Sequence, residues 1–287
     1  MMEESAKIGG LSDPGRCFRA GVPATNEVVS CVHIQQGGMM PFLAFDMEIA
    51  KPVPDGADLL AHRPGIACAA LAREGEPQAL VMFNPDEMPD LFDPATKTMT
   101  QAGATRVLLA LDAAVGRGDT LVTWNGAGFD FRLLADETGR HADCVRLALK
   151  SVDMMFQVLC DRGHPLSLDS ALKGAGLPAK VDQVTLGNGH VVQINGADAP
   201  RYWQEGEYSA VMEYCAADAE RTLALAVACQ RSRRLAWISQ KGRPNEMYLR
   251  TGWLTVEQCL ALPLPDTSWM DRPILRKDAL GWIGKLP

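Results

Sequence analysis

The sequence predicts an α/β fold in which a mixed sheet is flanked by helices, with a small C-terminal appendage. Three observations lead there. Short apolar segments between residues 42 and 83 alternate with turn residues, in the manner of antiparallel strands. A stretch with helical spacing of apolar residues then precedes a fourth apolar run at Thr120–Trp124. Beyond it the chain reads mostly as helix, ending in an Ala/Leu-rich stretch at about Tyr208–Ser232.

Taken in order, residues 1–38 carry Gly, Ser, Pro and Asn without sustained periodicity, apart from a short candidate strand at Val28–Ile34. They read as an N-terminal extension whose composition also allows disorder. Phe42–Ile49 is almost wholly apolar until Asp46, the pattern of a central strand covered on both faces. Gly65–Ala72 and Ala79–Phe83 are joined by Glu74-Gly75-Glu76-Pro77, which predicts a hairpin. Val107, Leu108, Leu111 and Val115 recur at helical spacing, and Gly116 and Gly118 stop that helix. The strand Thr120–Trp124 breaks at Asn125-Gly126-Ala127-Gly128 into a helix from about Phe129, and short helical segments fill 142–176. The main domain is thus 39–232. Residues 233–287, with Trp237, Trp253, Trp269 and Trp282 among several prolines, form the appendage.

Composition narrows the function classes. The 287 residues include no apolar run suited to a signal peptide or a membrane span, so a cytoplasmic protein without membrane contact is expected. Eight scattered cysteines without a CxxC pair point to reduced thiols rather than disulfides. Five dispersed histidines offer no zinc spacing, so any metal should be a hard cation held by oxygen. A net charge of −7 argues against broad coating of nucleic acid but permits a grip on a few phosphates.

Three motifs carry chemistry. In Phe42-Leu43-Ala44-Phe45-Asp46-Met47-Glu48 strand alternation puts Asp46 and Glu48 on one face, where two desolvated carboxylates repel unless a divalent cation joins them. If the strand instead ends at Phe45, both acids are merely solvated. In Leu121-Val122-Thr123-Trp124-Asn125-Gly126-Ala127-Gly128-Phe129-Asp130 a strand meets a Gly-rich turn that lets another chain approach closely, and Asp130 stands in the first turn of the next helix. The turn is no dinucleotide fingerprint, because Phe131 occupies the place of its third glycine. In Tyr214-Cys215-Ala216-Ala217-Asp218 a spacing of four places hydroxyl and carboxylate on one helix face.

In this order (DxE, Nx3FD, YxxxD) the motifs resemble the tyrosine-bearing branch of the DEDD superfamily of 3′–5′ exonucleases. Ser151-Val152-Asp153-Met154-Met155, Ser167-Leu168-Asp169 and Trp203 are similar to a bacterial group of predicted exonucleases related to B-family polymerase proofreading domains. The resemblance covers roughly Met40–Ser232. One departure is Ile49, where many members carry threonine after DxE. The resemblance implies a ribonuclease H-like five-stranded mixed sheet and metal-dependent release of nucleoside 5′-monophosphates from the 3′ end of DNA or RNA. It implies two divalent cations, Mg²⁺ or Mn²⁺, roughly 3.5–4 Å apart in such sites. Asp46 would bridge both, Glu48 and Asp218 would complete the first, Asp130 would hold the second, and Tyr214 would orient the attacking water. Asn125, Gly126 and Phe129 would contact the nucleic acid.

Two other readings stand beside this one. Asp46-Met47-Glu48 after a strand mimics a haloacid-dehalogenase phosphatase, but that family requires DxD. A catalytically silent nuclease-like module for nucleic-acid binding or assembly would keep the same fold. Among secondary features, Arg231, Arg233, Arg234, Lys241 and Arg243 surround Trp237 without an intervening acid, a pattern that fits either phosphate contact and stacking or a helix C-terminus beside a core tryptophan. Asp153 and Asp169 read as helix N-caps, and the spacing of Arg132, Lys173 and Lys180 assigns them no role.

Overall fold

The computed structural model describes residues 40–284 apart from 55, 58 and 240. The N-terminal extension and the strand expected at Val28–Ile34 lie outside the described residues. The strand Phe42–Ile49 is central, as its near-continuous apolar run requires. It pairs antiparallel with Ile66–Arg73, which pairs antiparallel with the two-residue edge strand Leu80–Val81. On its other side it runs parallel to Thr120–Thr123, which runs parallel to Val152–Asp153. The result is a five-stranded mixed sheet flanked by helices, consistent with a ribonuclease H-like fold.

Strand alternation decides what each face holds. Phe45 points to the face covered by the helix Asp130–Thr138, where its ring meets Phe131 edge-on at 5.0 Å. Asp46 and Glu48 point the other way, toward the long helix Tyr208–Ser232, which packs along the first two strands. The helix Gln101–Gly116 starts at Thr100, whose side chain accepts the Gly103 N–H. Its buried Ala104, Val107, Leu108, Leu111 and Ala114 form one apolar stripe.

Residues after Ser232 build on this body. The hairpin of Arg234–Ile238 and Pro244–Tyr248 places Leu235, Trp237 and Met247 in the main core, and Trp253 joins them. Trp237, only 6% exposed, is therefore a core residue and not a stacking platform. A second apolar cluster joins Val256, Cys259, Leu280 and Ile283 to Phe156, Leu159 and Ala127. The cysteines among the described residues, from Cys68 to Cys259, are free buried thiols. Among these residues no helix is long and apolar enough to cross a membrane.

Candidate metal centre

A cavity of about 380 Å³ opens beside the C-terminal half of the central strand. Asp46, Glu48 and Ile49 line it from that strand, Trp124, Asn125, Phe129 and Asp130 from the turn after Thr123, and Tyr214 and Asp218 from the long helix. One carboxylate oxygen from each of Asp46, Glu48 and Asp218 lies within 4.8 Å of the other two. Asp130 faces the same cavity but stands apart from that trio; its Oδ1 accepts the Met47 N–H at 3.1 Å, which ties the turn to the strand.

Burial decides the electrostatics. It raises the Asp46 and Glu48 carboxyls well above the usual range, and the neighbouring acids add repulsion. Burial raises Asp130 to about 7 against hydrogen bonding from the backbone, chiefly its own N–H. Asp218 is also raised by burial, but a cation opposes the shift: the Lys180 ammonium sits 2.5 Å from its Oδ2. That ammonium also lies 5.3 Å from the centre of the Tyr214 ring. Burial pushes the Tyr214 hydroxyl up, with further repulsion from Asp218.

The donor set fits a hard divalent cation. All four acids are oxygen donors, and Asp46 Oδ2 and Asp218 Oδ1 are enclosed without a hydrogen-bond partner. Ionising carboxyls with two such orphaned oxygens in one cavity is costly unless a cation takes them up.

The turn explains how Asn125 and Asp130 reach the cavity. Asn125 adopts φ 71°, a left-handed conformation that asparagine tolerates better than most residues. Asp153 fastens the turn: its Oδ1 accepts the Asn125 N–H at 3.0 Å and its Oδ2 the Ala127 N–H at 2.9 Å. The same Oδ1 accepts the Phe156 N–H, so Asp153 caps its helix as expected. Asp169 does not cap; Ser167 accepts the Ser170 N–H there. Gly126, expected at the nucleic acid, is buried and does not line the cavity. A Cβ on it would lie 2.6 Å from the Thr123 side chain, so the close neighbour that requires glycine is the protein itself.

Lys180 is the charged cavity residue that sequence reasoning left without a role. It lies in the Gly/Pro-containing connection after the helix Leu168–Ala175, where no periodicity assigns a direction. A larger groove, about 480 Å³, lies between residues 72–79 and the long helix. Its acids, Glu74, Glu76 and Glu220, form no comparable cluster, so the smaller cavity is the candidate site.

No family model matches the chain, and no curated protein does. Among solved structures, a family B DNA polymerase from the hyperthermophilic archaeon Pyrobaculum calidifontis is similar, with 20% identity and a TM-score of 0.44. The match covers 67% of this chain and 25% of the polymerase, so the chain spans about a quarter of that protein's length.

Proposed function

We propose that the protein is a metal-dependent 3′–5′ exonuclease that acts on DNA or RNA and releases nucleoside 5′-monophosphates. The observation that carries this reading is the gathering of Asp46, Glu48 and Asp218 within 4.8 Å, from a strand and a helix far apart in sequence. Asp130 from a third element borders the same cavity. In this reading Asp46, Glu48 and Asp218 would hold one Mg²⁺ or Mn²⁺, and Asp130 would help to hold a second. Bound cations would supply Lewis-acid stabilisation of the attacking and leaving oxygens of an in-line displacement.

The chain's own groups do the rest. Tyr214, next to Asp218 on the helix face, orients the attacking water as a neutral phenol, and burial pushes its hydroxyl still further from ionisation. Asn125 and Phe129 line the cavity where the terminal nucleotide is held, one as a polar contact and the other as an apolar wall. Ile49 offers an apolar wall where a threonine would offer a hydroxyl.

The test is degradation of end-labelled single-stranded DNA and RNA in Mn²⁺, in Mg²⁺ and in chelator. The expected outcome is a ladder shortened from the 3′ end, absent with chelator and abolished in Asp46→Ala and Asp218→Ala. An oligonucleotide that is shifted but not shortened would instead identify a binding module. Release of phosphate from a small monoester with intact DNA would identify a phosphatase.

A further inference from the structure

We infer that the C-terminal segment 276–283 is a positioning element of the metal centre, acting through Trp282 on the turn that carries Asn125 and Asp130. The inference rests on the exonuclease reading for its catalytic consequence, but its geometry stands independently.

The turn has an irregular entry into its helix. The Phe131 N–H reaches back five residues to the Gly126 carbonyl at 2.9 Å, and the Leu133 N–H takes Phe129 at 2.9 Å. The intervening Ala127 carbonyl accepts the Trp282 indole N–H at 2.7 Å. A residue 155 positions away thus satisfies a buried polar group at the helix entry, where an orphaned carbonyl would be costly. Ala127 is held from its other end as well, because its N–H goes to Asp153. Its side chain is fully buried in the cluster that includes Leu280 and Ile283. A Cβ on Gly128 would lie 3.4 Å from the Ala279 carbonyl, so the tail's backbone runs directly over the turn.

The tail is itself anchored. Arg276 donates to the carbonyls of Leu260, Leu262, Cys160 and Pro263 at 2.7–3.1 Å. The Trp282 carbonyl lies 2.8 Å from His141 Nε2, and the two rings meet edge-on at 5.6 Å. A brace fixed at both ends transmits position rather than merely filling space. Asp130 lies three residues from the braced peptide, so loosening the brace moves one carboxylate and leaves the Asp46, Glu48 and Asp218 trio in place.

The experiment uses the full chain with Trp282→Phe, and separately with the N–H-free analogue benzothienylalanine at position 282, which keeps the ring volume. Three quantities are read: hydrogen exchange of the amides of residues 125–131 and 42–48, Mn²⁺ binding by calorimetry, and kcat and KM on a 3′-ended oligonucleotide. Both variants are expected to speed exchange in the turn while leaving the central strand protected. They should also weaken the second Mn²⁺ but not the first, and lower kcat about tenfold to a hundredfold at nearly constant KM, the scale of a displaced catalytic group. Restoring tryptophan chemistry with 5-fluorotryptophan should restore all three. Unchanged turn exchange in both variants overturns the brace. Altered exchange with unchanged Mn²⁺ binding and kcat overturns its role at the site. If the wild-type protein neither binds Mn²⁺ nor shortens DNA or RNA, the exonuclease reading fails, while turn exchange still decides the brace.

Discussion

Raising the pH should weaken the metal-free protein, and a divalent cation should reverse the loss. Asp130 has an ordinary pKa of 3.8 and is raised to about 7 in the fold. Between those values the folded state keeps a proton that the unfolded chain has released. The unfolding free energy therefore falls as pH rises, fully retained below about pH 4 and fully lost above about pH 7. A gap of roughly 3 pKa units corresponds to about 4 kcal/mol at 1.36 kcal/mol per unit. For a chain of this size that is on the order of 10 °C in Tm. Asp46, Glu48 and Asp218 shift in the same direction and deepen the slope. Each cation present at a hundredfold excess over its Kd should return about 2.7 kcal/mol. The assay is urea or thermal unfolding from pH 4 to pH 8, in chelator and in Mn²⁺. Asp130→Asn is the control: the amide oxygen can still accept the Met47 N–H, but no charge develops. This variant should be more stable than wild type in chelator at pH 8 and should gain less from Mn²⁺. Metal-free stability that is flat or rising between pH 5 and pH 8 would refute the argument, because the carboxylates would then not be paying for their burial as charges.

Two further perturbations probe the same site and its frame. Lys180→Met removes the cation beside buried Asp218. The metal-free protein should lose roughly 2–3 kcal/mol, less than the usual cost of breaking a buried pair because the lysine side chain is 31% exposed. Mn²⁺ should bind about tenfold or more tightly once that competing charge is gone; calorimetry showing unchanged affinity would remove Lys180 from the electrostatics of the site. Gly174→Ala would drive a Cβ into the backbone of Trp237, where the helix Leu168–Ala175 crosses the C-terminal hairpin. Overpacking against backbone should cost about 3 kcal/mol or more, and a melt within one degree of wild type would show that the crossing is loose.

What could be read from the sequence had a local cause. The bounds of Phe42–Ile49 and Tyr208–Ser232 are legible because each element carries its own pattern, an unbroken apolar run in one and an Ala/Leu-rich helical stretch in the other. The facing of Asp46 and Glu48 follows from alternation alone, and that of Tyr214 and Asp218 from the helical turn. Val152–Asp153 is hidden because two residues have no period; its place in the sheet is set by Val122 and Thr123 beside it. Gly126 shows the limit of a sound local argument. A glycine after a strand does signal close approach, but the sequence does not say by what, and Thr123 is the neighbour.

The contacts that stayed illegible share a different property: each reaches across the chain to a group that only the folded site presents. Lys180 meets Asp218 from a connection 38 positions away, Asp153 meets Asn125 and Ala127 from the adjacent strand, and Trp282 meets Ala127 from the far end. Acids that gather in a cavity can be anticipated because their spacing along a strand or helix fixes their direction. The counter-charge and the braces answer a need created only once those acids are buried together, and many residue types in many places can answer it. A lysine in a loop or a tryptophan in a proline-rich tail therefore carries no local mark. Its importance is set by the desolvated group it meets, here a carboxylate for Lys180 and a helix-entry carbonyl for Trp282.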